Sequence, residues 1–286
     1  MHISTTATQE KKLSTELEAI RATWDKEEFT VIKHKESNST WKLTNWDAII
    51  TTLDDSLASI SDIQGSRYVK RLLERVEETH NMLILVSDTI EQWKLFQRNW
   101  LYLENIFASS KEIKDRCSKE WKEFEAIDKK WVSLMKKVST KQNVKHHCTQ
   151  GRLDEFLAQN RKMEEIQKKV EEYLDEKRTD FPRLYFISND ELLHLLSQSS
   201  IEGIEPQLNK LFDQLYRFQK SADATSTDLL GMISADGEEV PFVKDVKITP
   251  NKGVEVWLRE IRDAMTATVQ RKIRECHTDL QKTHQL

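Results

Sequence analysis

Two Glu-x-x-His motifs come nearest to a known chemistry in this sequence. They are Glu77–His80 and Glu191–His194, and both fall on predicted helices. Two such motifs, with a Glu from each of two further helices, form the di-metal site of ferritin-like bundles, where every ligand points inward. Glu191 instead fits a helix-capping position, and Glu77 and His80 fall at the edge of an apolar helix face. Solvated polar faces are therefore the simpler interpretation, and a metal assay separates the two.

Other combinations of reactive residues are less complete. His146, His147 and Cys148 are adjacent borderline ligands, but a zinc site needs a fourth, properly placed. Asp54-Asp55 begins like a paired-aspartate magnesium motif and lacks the third carboxylate. The sequence contains no P-loop, H-E-x-x-H, G-x-S-x-G or C-x-x-C motif. It therefore predicts no catalytic, cofactor-binding or metal-binding residue.

A basic segment and a set of tryptophans each allow two interpretations. The segment 129–153 has no acid and is either a dock for an acidic protein surface or a solvated helix end and loop. Its seven basic residues are Lys129, Lys130, Lys136, Lys137, Lys141, Lys145 and Arg152. The tryptophans Trp93, Trp100, Trp121 and Trp131 have the spacing of a helical core rather than of a base-stacking platform. A net charge of −4 also argues against a nucleic-acid partner.

Composition predicts a mainly α fold. The 286 residues include 6 Gly and 4 Pro, where average usage gives about 20 and about 14. Turns depend on these residues, so a β-sandwich, a β-barrel or a many-crossover α/β enzyme is disfavoured. Charged residues make up 32% and hydrophobic residues 38%, yet there are 8 Trp and 10 Phe. This combination predicts an elongated rod of long antiparallel helix bundles rather than a thick globule.

The sequence predicts neither a membrane partner nor disulfide bonds. No apolar run approaches the roughly 20 residues of a membrane span, and residues 1–20 lack an apolar signal-peptide core. The three cysteines, Cys117, Cys148 and Cys276, are odd in number and widely spaced. Reduced thiols in an intracellular protein are the simplest explanation.

The strongest periodic signal predicts one long, continuously packed helix. Twelve positions recur at alternating steps of three and four, and nine of them are apolar. A seam of this length is typical of a helix packed by other helices along most of its length. The seam positions are Val69, Leu72, Val76, Thr79, Leu83, Val86, Ile90, Trp93, Gln97, Trp100, Glu104 and Phe107.

The rest of the chain is predicted in three segments. Residues 1–44 form a helix and a β-hairpin, 45–200 a long-helix bundle, and 201–286 a short helix, an Asp-Gly hairpin and a final helix. In the first segment we predict a hairpin with a turn over Lys35–Ser39. In the second we predict a loop over Ser139–Gly151 and a capping box at Ser188–Glu191. In the third we predict a helix over Leu208–Phe218, strands at Leu229–Ile233 and Glu239–Val243, and a last helix from Val254. The last helix has no Gly or Pro stop, so we expect the chain to be cut from something longer.

Several colinear segments resemble dynein heavy chains in their linker region. Gln97–Phe107 resembles the family signature QRxWxYLExIF, and Lys177–Leu193, which contains Phe-Pro-Arg-Leu-Tyr-Phe-Ile-Ser-Asn-Asp-Glu, is the most specific match. The chain departs from the family at Cys117–Glu120, at Leu184 and at His194. Other matching segments are Phe124–Trp131, Ile166–Leu174, Met232–Val240 and Val254–Leu258.

The resemblance implies a mechanical role without catalysis. In dyneins the linker is a mainly helical rod that joins the tail to a ring of AAA modules and bends and straightens as the ring hydrolyses ATP. The implied partners are that ring, the tail and intermediate or light chains, with microtubules reached only through the rest of the heavy chain. ATP and magnesium belong to the ring. Details of the motifs favour an axonemal chain of a cilium or flagellum, with the cytoplasm as alternative.

Two alternatives and two candidate hinges remain open. The periodicity alone also fits a spectrin-like helical tether without a motor, although no fixed-period repeat is visible. A di-metal helical enzyme is the remote alternative. If the chain is a linker, the polar, aperiodic gaps Ser139–Gly151 and Gln198–Pro206 are the expected points of bending.

Overall fold

Long helices dominate the computed structural model, which describes residues 2–35, 40–109, 111–198, 200–221, 227–249 and 252–283. Over these residues the fold is mainly α with two small antiparallel sheets, as predicted. The described helices are α1 (His2–Lys26), α2 (Trp46–Gln64), α3 (Leu73–Ser109), α4 (Lys111–Arg116), α5 (Ser118–Thr140), α6 (Val144–His147), α7 (Gln150–Asp180), α8 (Asn189–Leu196), α9 (Leu208–Leu211) and α10 (Val254–Thr283). None of the described helices is long and apolar enough to cross a membrane.

The predicted seam of α3 is confirmed. Nine of its twelve positions are buried, namely Val76, Thr79, Leu83, Val86, Ile90, Trp93, Gln97, Trp100 and Phe107. The helix begins at Leu73 rather than at the first seam residue, because a 3-10 turn occupies Val69–Arg71. Its 37 residues span roughly 55 Å at about 1.5 Å each.

The first sheet is the predicted hairpin of β1 (Thr30–Lys33) and β2 (Trp41–Thr44), in which Val31 lies opposite Leu43. Most of the predicted turn, residues 36–39, lies outside the described residues. The second sheet has the order β3 (Leu215–Lys220), β4 (Asp228–Ser234) and β5 (Glu239–Lys247). The predicted Asp-Gly turn joins the last two strands, with Gly237 at φ 83°.

The predicted helix over Leu208–Phe218 is wrong after its first turn. Helix α9 ends at Leu211, and β3 begins at Leu215 after Gln214, which has φ 61°. Leu215 and Phe218 are three residues apart and both are buried, which is the spacing expected of a helix and not of a strand. The cause is a register irregularity between Leu215 and Arg217, which shifts the inside–outside alternation of the strand by one residue.

The predicted loop over Ser139–Gly151 is wrong over much of its length, since only residues 141–143 and 148–149 lie outside helices. Helix α5 continues to Thr140, α6 forms from Val144, and α7 begins at Gln150. The backbone at this connection pairs with the residues that follow α1: Phe29 N donates to Gln142 O at 2.8 Å, and Val144 N donates to Glu27 O at 2.9 Å. Because these backbone groups are already hydrogen-bonded, the segment is ordered without a periodic pattern of apolar residues. It therefore looks like a loop in the sequence.

The second predicted gap, Gln198–Pro206, is irregular where it is described. Turns and bends cover residues 200–204, and a short 3-10 helix occupies Glu205–Gln207. Ile201 and Ile204 are nevertheless buried, and Ile204 N donates to Ile201 O at 3.0 Å. Lys220 Nζ on β3 also donates to Glu202 Oε1 at 2.7 Å and lies 3.2 Å from Glu205 Oε1. This gap is therefore held by local turns and side-chain ion pairs, whereas backbone pairing holds the first gap.

The chain divides into two compact units. The first contains residues 1–104 and 119–167, and the second contains residues 105–118 and 168–286. The predicted division into 1–44, 45–200 and 201–286 concerns consecutive segments and remains a prediction. The core of the first unit is aromatic, with ring centroids 5.0 to 5.4 Å apart in the pairs Phe29–Trp93, Trp93–Phe156, Phe96–Phe156, Phe96–Trp131 and Trp100–Trp131. In the second unit, the core residues include Phe181, Leu184, Leu192, Leu195, Trp257 and Leu258.

Candidate functional site

The residues of the two Glu-x-x-His motifs have separate roles. Glu77 is exposed and His80 half-buried on α3. Ser188 and Glu191 form the predicted capping box at the start of α8, and Lys210 bonds to the Glu191 carboxylate. This hydrogen bond from Lys210, aided by Ser188, lowers the pKa of Glu191. His194 is exposed. Within the described residues no group of three or more His, Cys, Asp or Glu is placed to hold a metal ion.

The His-His-Cys run and the Asp pair are also not gathered into a site within the described residues. His147 is buried, and its Nε2 lies 2.6 Å from the backbone oxygen of Lys141. Burial lowers the pKa of His147, and burial raises the pKa of the Cys148 thiol to about 12. His146 is exposed, as are Asp54 and Asp55 on α2. The buried side chains of this run therefore serve the packing of α6.

Acids from outside the basic segment 129–153 balance part of its charge. Lys129 lies 3.2 Å from a Glu125 oxygen, Lys145 lies 2.8 Å from an Asp25 oxygen, and Arg152 lies 2.5 Å from a Glu155 oxygen. The side chains of Lys130, Lys136, Lys137 and Lys141 are exposed. Docking of an acidic surface remains a prediction for these four.

The residues of the Gln97–Phe107 segment make the most specific polar contacts on α3. The Gln97 side chain is buried and bonds twice to one residue of β2: Leu43 N donates to Gln97 Oε1 at 2.8 Å, and Gln97 Nε2 donates to Leu43 O at 2.9 Å. Both ends of the amide are thereby satisfied, and so are both backbone groups of Leu43. The contact fixes the hairpin against α3 with the geometry of a peptide–peptide pair.

One turn further along, Trp100 connects α3 to α5. Its Nε1 donates to Asp128 Oδ1 at 2.9 Å, while its ring packs on Trp131. Burial raises the pKa of Asp128 and the nearby Glu104 charge raises it further, against the lowering effect of the Trp100 hydrogen bond. A carboxylate is therefore held in a partly desolvated position by a neutral donor.

The third contact joins α3 to the end of β1. Glu104 Oε1 lies 2.5 Å from Lys35 Nζ, and Glu104 Oε2 lies 3.5 Å from His34 Nε2. The His34 ring also meets Trp100 edge to face, with centroids 5.1 Å apart. Gln97, Trp100 and Glu104, with their partners on β2, on α5 and in the two residues after β1, are called the clamp below.

Sequence reasoning identified the segment of the clamp but not its partners. Gln97 and Glu104 are two of the three polar positions in the seam of α3, and an interrupted seam is the available signal. The partners lie up to 70 residues away along the chain. No local pattern specifies such a pairing.

The second unit contains a different polar cluster, which the sequence did not indicate. Lys177 Nζ donates to Glu255 Oε1 at 2.7 Å and to Glu112 Oε1 at 3.0 Å, and Tyr173 OH donates to Glu112 Oε1 at 2.8 Å. Lys177 and Glu255 are buried. These four residues, the Lys177 network, connect α4, α7 and α10.

Charge balance determines the ionisation of the Lys177 network. Burial opposes the charge on Lys177, but its hydrogen bonds to Glu255 and Glu112 outweigh burial and raise its pKa. Burial likewise opposes the charge on Glu112, yet hydrogen bonds from Lys177 and Tyr173 lower its pKa. Burial and the bond to Glu112 raise the pKa of Tyr173. One ammonium thus serves two carboxylates.

The whole matched region corresponds to one protein family. The family model described as dynein heavy chain, N-terminal region 2, matches residues 1–276. The chain therefore belongs to the dynein heavy chain family, as the resemblance of the clamp segment predicts.

Axonemal heavy chains are among its relatives. The chain is 34% identical over 297 residues to human dynein axonemal heavy chain 6, covering 98% of this chain and 7% of that protein. It is 33% identical over 287 residues to human dynein axonemal heavy chain 2, covering 98% of this chain and 6% of that one. It is 34% identical over 276 residues to the Chlamydomonas reinhardtii dynein-1-beta heavy chain of the flagellar inner arm I1 complex, covering 95% of this chain and 6% of that protein. The chain thus spans a small fraction of the length of these relatives.

Proposed function

We propose that this chain is a non-catalytic mechanical linker segment of an axonemal dynein heavy chain. It joins the tail to the AAA ring of the same heavy chain, and it bends and straightens with the ATP cycle to drive microtubule-based movement. Its partners are the ring, the tail and intermediate or light chains, and it meets microtubules only through the rest of the heavy chain. ATP and magnesium act in the ring, and the site of action is the axoneme of a cilium or flagellum.

The match to the N-terminal region of dynein heavy chains over residues 1–276 carries the proposal. The clamp supports it physically. Flexing α3 near Gln97 would break two buried hydrogen bonds to Leu43, and flexing it near Trp100 would disturb the bond to Asp128 and the packing on Trp131. Each buried partner left unsatisfied costs about 1–3 kcal/mol. A helix braced in this way transmits force instead of absorbing it.

Bending within this segment is expected at Gln198–Pro206 and no longer at Ser139–Gly151. The latter is paired by backbone hydrogen bonds to the end of α1, and Asn143 Nδ2 also donates to Asp25 O at 2.9 Å. Opening that connection would release several bonds together. The described part of 198–206 is held by local turns and by ion pairs from Lys220 to Glu202 and Glu205, which a change of angle disturbs less than it disturbs paired backbone.

The first test is deletion of residues 1–286 from a full-length heavy chain, with gliding velocity and ATPase measured on the same preparation. The proposal expects nucleotide hydrolysis to persist and movement to be largely lost, because the ring remains but its lever does not. Unchanged velocity after deletion would contradict it.

A pair of proline substitutions tests where the segment bends. Ser200→Pro stiffens the second gap and is expected to slow gliding. The matched control is Gln150→Pro, at the first position of α7, where proline is tolerated because its N–H has no helical partner. Equal gliding velocities of the two variants would contradict the proposed hinge at the second gap. The linker role itself would still be tested by the deletion experiment.

A further inference from the structure

Lysines stand on both sides of one hydroxyl in the basic segment 129–153. Ser139 follows Lys136 by three residues and Lys137 by two, and Lys141 comes two residues after it. The side chains of these three lysines are exposed, and the ion pairs of the segment within the described residues use other basic residues. Many protein kinases select a serine by charges placed in this way. The pattern therefore makes Ser139 a candidate acceptor of a phosphoryl group.

The position of Ser139 in the last turn of α5 allows a kinase to reach it. Its Oγ donates to Lys136 O at 2.9 Å, a bond within its own helix. The end of a helix opens at little cost in free energy, whereas its interior does not. Ser133 also follows a lysine pair, Lys129 and Lys130, but it lies in the interior of α5. The structure therefore favours Ser139 over Ser133 as the acceptor.

Ser139 also lines a groove at the end of α5. The groove has a volume of 580 Å³, which gives room for a phosphoryl group, and its lining includes the acids Asp25 and Glu28. The side chain of Ser139 is half-buried, whereas that of its neighbour Thr140 is exposed. A charge added to Ser139 is therefore held closer to the groove than a charge added to Thr140.

Two backbone hydrogen bonds beside this groove hold the residues after α1 against the end of α5. They run from Phe29 N to Gln142 O and from Val144 N to Glu27 O, and together they are called the joint below. Gln142 lies three residues after Ser139 in the sequence. A change of charge or of backbone angle at Ser139 therefore acts directly on the joint.

The added charge of a phosphate on Ser139 opposes the joint in three ways. A phosphoserine carries a charge of about −1.5 to −2 at pH 7, and the C-terminal end of a helix already has a negative partial charge. The carboxylates of Asp25 and Glu28 in the same groove repel it as well. The esterified Oγ also has no proton left to donate to Lys136 O.

The neighbouring lysines attract the phosphate, but this attraction is the weaker effect. The side chains of Lys136, Lys137 and Lys141 are exposed, so water and salt screen the ion pairs that they form. Lys141 Nζ also already lies 3.2 Å from His146 Nδ1. Repulsion in the half-buried groove therefore outweighs attraction at its exposed rim.

We propose that Ser139 is a phosphorylation site and that its modification loosens the joint. The catalyst is a protein kinase that selects basic sequences, and the co-substrate is ATP. The Ser139 Oγ attacks the γ-phosphorus of ATP and loses its proton to a base of the kinase. A new O–P bond forms while the bond from the γ-phosphorus to the bridging oxygen breaks, and ADP leaves. The inference concerns the folded chain itself and does not depend on the linker function proposed above.

The first experiment locates the phosphate. The folded chain is incubated with ATP and the catalytic domain of protein kinase C, a kinase that selects serines with basic residues on both sides. Mass spectrometry is expected to find the phosphate on Ser139. Phosphate confined to Ser133 or to Thr140, or no phosphate at all, would overturn the proposal.

A pair of double variants tests whether the lysines direct the kinase. Lys136→Gln/Lys137→Gln is expected to be phosphorylated on the order of tenfold more slowly, because two charge contacts to the kinase are lost. Lys119→Gln/Lys122→Gln removes the same charge from exposed positions of the same helix and is the matched control. It is expected to react at the rate of the parent, and equal rates for the two variants would contradict the assignment.

Amide hydrogen exchange of the phosphorylated chain then measures the joint. The amides of Phe29 and Val144 are expected to exchange on the order of tenfold faster than in the unmodified chain. The amide of Leu43, which belongs to the clamp in the same unit, should keep its rate. Ser139→Ala loses the hydroxyl without gaining charge and should leave all three rates unchanged. Unchanged exchange at Phe29 and Val144 after phosphorylation, or an equal acceleration at Leu43, would overturn the proposed release of the joint.

Discussion

The clamp on α3 and the Lys177 network both place polar groups where helices pack, but with opposite chemistry. At Gln97 in the clamp a neutral side-chain amide meets a backbone, with both ends matched. In the network one ammonium is shared by two carboxylates, and Glu255 Oε2 is buried with no hydrogen-bond partner among the residues that the structure describes. Matched neutral groups give geometry that is insensitive to solution conditions. Shared charges connect three helices at one point but depend on protonation and on every partner being present.

The largest effect is expected when the network loses its only cation. Lys177→Met leaves two carboxylates without the ammonium that they share. One of them, Glu255, is buried, and removal of one partner from a buried ion pair costs about 3–5 kcal/mol. Denaturant unfolding of the chain measures the loss. The control is the triple variant Lys177→Met/Glu112→Gln/Glu255→Gln, in which no buried charge remains and most of the stability is expected to return. A cost of the single substitution below about 1 kcal/mol would mean that the network behaves like a surface ion pair.

Breaking the clamp is expected to cost up to a comparable amount. Gln97→Ala leaves the N–H and C=O of Leu43 without partners, at about 1–3 kcal/mol for each group that stays buried. Amide exchange of Leu43 should accelerate together with the loss of unfolding free energy. Arg98→Ala, one residue away and exposed, is the control and is expected to change neither. A Leu43 amide that stays protected in Gln97→Ala would contradict the assignment of its protection to the Gln97 hydrogen bond.

The capping box of α8 provides a smaller effect that lies outside both clusters. Ser188 Oγ accepts from Glu191 N at 3.3 Å, and Ser188 N donates to Glu191 Oε2 at 3.0 Å. Ser188→Ala is expected to lower the unfolding free energy by about 1 kcal/mol. Ser188→Thr retains the hydroxyl and should retain most of the stability. If the two variants lose the same amount, the cap contributes nothing measurable.

The pH dependence of two carboxyl substitutions sharpens the contrast between the units. The pKa of Asp128 is raised in the folded state, so its ionised form is disfavoured there, and Asp128→Asn should be at least as stable as the parent at neutral pH. That advantage should disappear as the pH falls below the ordinary value of 3.8. The pKa of Glu112 is lowered, so its contribution is present above 4.5 and is lost as the pH falls through its folded value. Glu112→Gln should therefore be the less stable protein at neutral pH, with the difference shrinking in acid. Parallel pH profiles for the two variants would contradict the assignment.

Sequence reasoning succeeded where structure is periodic and local. The seam of α3, the first hairpin, the Asp-Gly turn and the capping box at Ser188 all follow from spacing and residue type within a short window. It failed where a long-range contact replaces a local signal. The pairing of Gln142 and Val144 with the end of α1 orders a polar stretch without any apolar period. Leu215 and Phe218 imitate a helical step because of a strand irregularity.

The sequence indicated the residues of the clamp on α3 but not their partners, because the partners come from distant segments of the chain. Gln97 and Glu104 stand out as polar residues in an apolar seam, and the family signature marks their segment. Their partners Leu43, His34 and Lys35 come from a hairpin far away in sequence. For the Lys177 network, the matching segments contain Tyr173, Lys177 and Glu255, but none of these residues interrupts an apolar seam as Gln97 does. A lysine among many on α7 therefore carries no sign in the sequence that it is buried. Burial of a charge is decided by tertiary packing.

The double bond from Gln97 to Leu43 has a consequence for how this hairpin behaves towards other chains. A two-stranded ribbon leaves unpaired N–H and C=O groups along its outer edges, and such edges recruit further strands and promote aggregation. At Leu43 both groups of β2 are already occupied by the Gln97 amide. A single side chain of a neighbouring helix thus takes the place of a third strand at Leu43, so this point of β2 has no free backbone N–H to offer an incoming peptide.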